Sequence, residues 1–436
     1  MSTRSLKSKI KVNDTESNII GHMCYAAYKL WNICNYERHN YKELELPVDY
    51  PNWYYQKSAY KDNMWYKSLP SQTAQEVLKV LDESWKSFYA LQRSKGIENP
   101  KPPRYKQDNI VITYIQNAIV HNKKSDTIRL SLPKQLMEHM SSEYGINEKY
   151  LYLKSSIFKN IDNIKQIKIY PPIDGQCEII IVYKTNNDIV FKEDNGKQLS
   201  IDFGIKNLLT CYDDSNSKSF IIGREYLSIE RYFQDNIAYY QNINSKQQVK
   251  LGVEYPKPSK KILKLYKNKN NKIHDYLHKV THNVVRYCID NEITSVVIGD
   301  ITGILKKKDN TEVESIPKFA NKNQDKVNQQ LHSWPFKKLC DMLIYKLEDN
   351  GITCIKVKEC YSSQCGPTTP EVSKEYANLD NRVQRGCYID NKTLYNADDI
   401  GAYNIMRIAY SKNIITKAPT YSKSALSMPS VMKIKL

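Results

Sequence analysis

Three carboxylates in this chain stand where strand or helix patterns begin or end, the places from which side chains converge on a cleft. Asp202 lies in LSIDFGIKNLLTCYDD, where Leu199, Ile201 and Phe203 alternate as the buried side of a strand and Gly204 turns the chain into a hairpin. Glu359 ends the strand-like run IKVKEC, and Asp398 opens the helical pattern YNADDIGAYNIMRIA, whose Ala402, Ile405 and Met406 face a core. Taken alone, Asp202 reads as a hairpin-turn aspartate. Three ionised carboxylates within ~4 Å of one another repel by several kcal/mol at an effective dielectric near ~20, so together they require cations. Two Mg²⁺ ions, held by hard oxygen ligands, would meet that need and support in-line phosphodiester displacement. The eight histidines form no HExxH or HxH cluster, which argues against a zinc hydrolase. Asp202, Glu359 and Asp398 are therefore the expected catalytic and Mg²⁺-binding residues.

The elements that must position these acids follow from the patterning. SKIKVND predicts a first strand, and from about Glu16 the spacing of Ile19, Met23, Ala26, Leu30, Trp31 and Cys34 predicts a helix. Residues 49–65 read as a loop with one short helix. SLPSQTAQEVLKVLDESWKSFYALQRS predicts a long helix, with Thr73 and Glu76 at capping-box spacing. GIENPKPPRYK, with Lys101, Arg104 and Lys106 among its prolines, reads as a basic linker, and Arg104 and Lys106 are nucleic-acid-contact candidates whose alternative is a solvated face. Residues 110–195 read as short alternating strands of an antiparallel barrel or sandwich, completed by the N-terminal strand. From Lys197, three meandering strands precede helix, strand, helix, strand and helix, the element order of an RNase H-like fold, whose site forms at the carboxyl ends of strands. The tail after Lys412 is polar and is expected to be mobile.

Composition narrows the partners. Among 436 residues, 65 Lys and Arg stand against 47 Asp and Glu, and the resulting +18 exceeds what solubility asks and points to a polyanion, nucleic acid first. A membrane surface is the rival, yet no apolar run approaches the ~20 residues that span a bilayer. The N-terminal MSTRSLKSKIKVND has no apolar signal core, so a cytoplasmic, nucleoid-associated location is expected. The ten cysteines lack paired spacing, as in a reducing compartment. The 34 Tyr against 8 Phe resemble the usage of an AT-rich genome, so no single Tyr is assigned to base stacking.

IDFGIKNL, VVIGDITGI, ECYSSQC and YNADDIGAYNI, in that order, together with LWN, LPSQTAQEVL, SWKSF and PPRYK in the N-terminal half, resemble the TnpB proteins of insertion sequences, RNA-guided nucleases related to compact type V CRISPR effectors. The resemblance implies a multidomain α+β fold. It comprises a wedge-like β-barrel (1–15 and 105–195), an inserted helical recognition lobe (16–104), a RuvC-like RNase H-type nuclease domain (196–359 and 396–412), a small degenerate zinc-ribbon-like insert (360–395) that binds target nucleic acid, and a flexible tail (413–436). It further implies a guide RNA from the element's end, a double-stranded DNA target beside a short motif, and Mg²⁺-dependent cleavage. Two departures stand out. Most members carry Glu in the VVIGD strand where this chain has Gly299, and neighbouring Asp300 would point to the other face. Cys360, Cys365 and Cys387 form no CxxC pair, so zinc is not expected. An active endonuclease, with Glu359 replacing the missing acid, competes with a catalytically inactive RNA-guided DNA-binding protein and, more distantly, with an ordinary transposase.

The charge excess carries its own test. Affinity for RNA should fall steeply as salt rises, with a log–log slope reflecting several released counterions; filter binding between low and physiological salt measures it, and a flat response would remove RNA from the partners.

Overall fold

The computed structural model describes residues 3–94, 98–185, 189–300, 334–384 and 386–434, which divide into two compact units, 1–188 and 189–436. Of the run VVIGDITGI, the final ITGI lies outside the described residues.

In the first unit, strand β1 (Thr3–Lys11) alternates exposed lysines with inward residues and pairs antiparallel with β7 (Gln176–Lys184) along its whole length. Between β1 and β2 (Ile112–Ile115) come helices α1 (Asp14–Asn40), α2 (Trp53–Ala59), α3 (Met64–Lys67) and α4 (Ser71–Ser94). β3 (Ile119–Asn122), β4 (Thr127–Ser131), helix α5 (Lys134–Tyr144), β5 (Tyr150–Lys154) and β6 (Ile164–Ile169) complete the unit. The strands form a four-stranded sheet, β1-β7-β6-β2, and a separate three-stranded sheet, β3-β4-β5. The expected barrel is corrected accordingly: among the described residues the hydrogen bonding closes no ring. Nor do the helices keep a core to themselves. Ile20, Met23, Leu30, Leu78 and Trp85 belong to one apolar cluster with Ile112, Ile167 and Ile181 of one sheet and Leu130 and Leu151 of the other. Tyr114 ties three elements together, its single hydroxyl hydrogen lying within reach of both Met23 Sδ (3.2 Å) and the Ser131 carbonyl (3.1 Å).

Two local expectations shift. The capping box belongs to α1, where Asn13 and Glu16 exchange side-chain and backbone bonds of 2.9 and 2.8 Å; Thr73 instead lies buried inside α4 and Glu76 pairs with Lys79. The basic linker is strapped along α1: Asn32 brackets the Lys106 backbone (2.9 and 2.8 Å), Asn35 and His39 reach the Pro103 carbonyl (both 3.0 Å), and Lys106 Nζ sits 4.4 Å from the centroid of the Trp31 ring. Arg104 and Lys106 are both exposed.

In the second unit, β8 (Gln198–Phe203), β9 (Leu209–Asp213) and β10 (Lys218–Ile222) make the expected meander. The chain continues through α6 (Tyr226–Lys250) and α7 (Lys260–Asp290) to β11 (Ser295–Asp300), which runs parallel to β8. Helix α8 (Phe336–Asp349) is followed by β12 (Thr353–Lys358), parallel to β11, then by the hairpin β13 (Cys387–Asp390) and β14 (Thr393–Asn396), and by helix α9 (Ala397–Ser411). The tail is not loose: α10 (Lys423–Ser427) buries Ala425 and Leu426, and β15 (Ser430–Met432) adds a parallel edge strand to β10. Pairing with an exposed strand edge outweighs the tail's polar composition. The sheet order is β12-β11-β8-β9-β10-β15. Leu199, Ile201 and Phe203 pack with α7 and α8 residues such as Val280, Val284 and Leu343, while α9 covers the other face through Ala402, Ile405 and Met406. No described helix is long and apolar enough to cross a membrane.

The first unit depends on a buried ion pair that patterning did not reveal. Arg38, 1% exposed, bonds Asp82 Oδ1 (2.8 Å) and Gln56 Oε1 (2.9 Å), and Gln56 in turn donates to Glu37 Oε2 (2.7 Å). Burial opposes ionisation of Asp82, but hydrogen bonds from Lys86 and Arg38 outweigh it and lower its pKa. Asp82→Ala leaves Arg38 buried without its direct ion-pair partner, and denaturant unfolding of the first unit should show a loss of about 3–5 kcal/mol; an unchanged midpoint would contradict the buried pair's role.

Candidate active site

β8, β11 and β12 are parallel, so their carboxyl ends share one edge of the sheet. Side-chain alternation places Asp202 on the face opposite Leu199, Ile201 and Phe203, toward α9. Ser200 marks that same face, its hydroxyl donating to the Ala402 carbonyl at 2.6 Å. α9 approaches closely because Gly401 has no side chain: a Cβ there would lie 2.6 Å from Asp202 Oδ2. Asp398, one helical turn earlier, shares that side of α9. Asn396 caps the helix by accepting from the Asp398 N–H (2.9 Å).

Glu359 follows β12 directly. Its carboxyl group enters the space a side chain at Gly299 would take: a Cβ at Gly299 would meet Glu359 Oε2, with Cδ at 2.9 Å. Glu359 Oε2 is buried without a hydrogen-bond partner. The three sequence-predicted acids thus converge on one place. Asp202 is pushed well above the usual carboxylate range by burial and then by the charges of Glu359 and Asp398, against a counteracting pull from Arg382. Glu359 is raised to about 7 by burial and by Asp300. Asp300 thus acts on Glu359 but is not among the groups that shift Asp202.

Sequence reasoning missed four parts of this site. Asn207, in the hairpin turn, donates to Asp398 Oδ2 (2.7 Å) and accepts from Arg224 Nε (3.0 Å), so it relays a guanidinium to the acid. Arg382, from the insert, faces Asp202. A cleft of about 750 Å³ beside Asp398 is lined by Lys206, Arg224, Arg231 and Arg382, a cationic wall suited to phosphodiester oxygens. Asp399, next to Asp398, points the other way and is bonded by the Ser219 hydroxyl; burial raises it to about 8. The one visible signal was an acid pair opening a helix, and patterning does not say which acid faces solvent.

The fit to cations rests on the donor set. Asp202 is raised by burial and by the charges of Glu359 and Asp398, Glu359 is raised by burial and by Asp300, and Glu359 Oε2 is orphaned. Bound Mg²⁺ relieves such a cluster. Among the described residues no three His, Cys, Asp or Glu side chains are placed together so as to hold a metal ion.

The insert is held to α9 by amide and guanidinium bonds. Asn404, fully buried, donates to the carbonyls of Ser362 (2.7 Å) and Cys365 (2.8 Å), and Arg407 donates to those of Gly366 (3.2 Å) and Thr369. The β13–β14 turn uses left-handed Asn391 and Lys392 (φ 47° and 63°), as two-residue hairpins require. Cys365 is buried, Cys360 exposed and Cys387 half-buried.

Residues 181–305 match the family model OrfB_IS605, described as a probable transposase, and residues 336–405 match the Cas12f1-like TNB domain. The resemblance to TnpB proteins read from the sequence therefore holds over residues 181–305 and 336–405. No curated protein matches significantly. Among solved structures, a Cas12f1–sgRNA–target DNA complex is 14% identical over 93% of this chain and 99% of that one, with a TM-score of 0.35. The mini-RNA-guided endonuclease CRISPR-Cas_phi3 is 12% identical over 94% and 92%, with a TM-score of 0.43. CasPhi-2 bound to crRNA and phosphorothioate DNA is 9% identical over 95% and 93%, at 0.44.

Raised carboxyl pKa values make the folded state bind more protons than the unfolded chain above pH ~4, so stability falls as pH rises through the folded values. In chelator, the second unit should unfold more readily at pH 8 than at pH 5, and Asp202→Asn or Glu359→Gln should flatten that difference, as followed by denaturant titration at each pH. Added Mg²⁺ should restore stability at pH 8; a metal-insensitive, pH-flat wild type would contradict the clustered acids.

Proposed function

We propose that this chain is an RNA-guided DNA endonuclease whose Mg²⁺-dependent RuvC-like site uses Asp202, Glu359 and Asp398. The observation that carries the reading is the exchange at the sheet edge: where the resemblance leads one to expect Glu at position 299, Gly299 leaves a space, and the carboxyl of Glu359 fills it from the neighbouring strand. Sheet order, with antiparallel β8–β10 flanked by parallel β11 and β12, supports the RNase H-like assignment. The family matches support the transposon-associated, nucleic-acid-guided setting.

In this reading residues 1–15 and 105–195 form the wedge, 16–104 the recognition lobe, 196–359 and 396–412 the nuclease domain, and 360–395 the target-binding insert. Guide RNA supplies sequence specificity, double-stranded DNA beside a short motif is the target, and the protein works in the cytoplasm at the nucleoid. Asp202, Glu359 and Asp398 would hold two Mg²⁺ ions, which when bound supply an activated water and stabilise the leaving oxygen. The chain's own residues do the rest. Gly401 lets α9 bring Asp398 against Asp202, Asn207 fixes the Asp398 carboxylate, and Lys206, Arg224, Arg231 and Arg382 seat the scissile backbone. Arg104 and Lys106 offer charge to the guide. The competing reading, an RNA-guided DNA-binding protein without cleavage, draws on Gly299 and on no three donors being placed together so as to hold a metal ion among the described residues.

With a matched guide, target plasmid and Mg²⁺, Glu359→Gln should lower cleavage by about 10³-fold or more, as Asp202→Ala and Asp398→Ala do, with RNA binding retained. Asp300→Asn should cleave nearly as wild type. Gly299→Glu alone should fail, since its Cβ meets Glu359, whereas Gly299→Glu combined with Glu359→Ala should recover activity. Wild-type cleavage by Glu359→Gln would overturn the assignment, and an inactive wild type with verified guide and target would favour the binder.

A further inference from the structure

The acid cleft does not account for the charge on the long hairpin of α6 and α7. Between residues 236 and 274 the chain carries nine lysines, no arginine and one acid, Glu254. Lys269 is neutralised by Glu230 at 2.5 Å, both side chains largely buried. Lys246, Lys250, Lys257, Lys260, Lys264 and Lys267 are exposed and have no ion pair among the described residues. A row of like charges repels itself, and in a helix such spacing is destabilising unless a polyanion meets it.

The hairpin is built to stand away from the sheet. Beyond Ile237 no residue of α6 is buried, so about 20 Å of helix extends free of the core at 1.5 Å per residue. Polar rungs hold its two arms together. Gln241 donates to the Tyr266 hydroxyl (3.1 Å), Lys261 lies over the Tyr240 ring (5.2 Å), and Gln248 brackets Lys257 through its carbonyl and N–H (both 2.7 Å). Near its base a groove of about 660 Å³ is lined by Tyr232 and Phe233 from α6 and by Asn268, Asn271, Lys272 and Asp275 from α7, the Asp275 carboxylate paired with Lys279 at 3.0 Å. Lys260, Lys264, Lys267 and Asn271 step by four, three and four, one edge of α7 leading from the tip into this groove. On α6, Tyr232, Tyr239 and Lys246 recur every seven residues, and Tyr232 and Tyr239 are 63% and 62% exposed.

We propose that this hairpin is a docking surface for base-paired RNA, separate from the acid cleft. Lysines meet phosphates as point charges without reading bases. Between residues 236 and 274 the absence of arginine removes the bidentate guanine readers of a sequence-specific DNA surface. Asn268, Asn271 and the glutamines both donate and accept, as a 2′-hydroxyl does in the wide minor groove of an A-form helix. The proposal rests on the reading of RNA as a partner, and it names where a paired segment of that RNA sits.

The test uses the full-length protein with a 20-base-pair RNA duplex of arbitrary sequence, the same sequence as DNA, and two salt concentrations. Lys260→Gln/Lys264→Gln/Lys267→Gln should weaken RNA-duplex binding by about tenfold or more and reduce the log–log salt slope by about 2–3, leaving DNA-duplex binding nearly unchanged. Circular dichroism should match wild type, because all three side chains are exposed. Asp202→Asn, which disables the proposed cleavage site, should bind the RNA duplex as wild type does. The proposal is overturned if the triple variant keeps wild-type RNA affinity and slope, or if RNA and DNA duplexes lose affinity equally. If the wild type fails to cleave matched DNA while the triple variant still loses RNA-duplex affinity, the nuclease reading alone is overturned.

Discussion

The burial of Asp202 beside the charges of Glu359 and Asp398 is the constraint on which the second unit turns. Carboxyl groups from a strand exit and a helix start, Glu359 and Asp398, add to the cost of ionising Asp202, buried at a strand end. Such an arrangement persists only if the scaffold over-determines it. Here it does: parallel β8, β11 and β12 fix one edge, α9 is anchored on the sheet by Ser200, and Asn207 pins Asp398.

Two glycines make that convergence sterically possible. Gly401 yields its volume to Asp202, and Gly299 yields its volume to Glu359. Both act by the absence of a Cβ. An acid is thereby moved between adjacent strands without altering the sheet: the backbone at β11 stays in register with β12 while the carboxyl arrives from the latter. Asp300, one residue along, belongs to the opposite side of the pleat and acts on Glu359 only by its charge.

Elsewhere polar side chains tie distant segments together. Asn404 and Arg407 donate to four carbonyls of the insert, those of Ser362, Cys365, Gly366 and Thr369, and seat it on α9. In the first unit the Arg38–Asp82 pair sits inside the helix cluster, where a polar network confers specificity and is costly to break.

The sequence by itself determined the strands and helices with strong periodicity, the three acids, the glycine departure and the basic excess, because alternation, helical spacing and charge are local properties of the chain. What only the tertiary structure decided was non-local. Whether residues 110–185 close a barrel depends on which strand edges find each other, and here they make two open sheets. The polar tail became an edge strand because β10 offered unpaired backbone groups. Glu359 became part of the acid cluster because Gly299, sixty residues earlier in the chain, leaves room beside it. Asn207, Arg382 and Arg38 carry no periodic signal, and their roles exist only once distant segments place a partner within hydrogen-bond or Coulomb range.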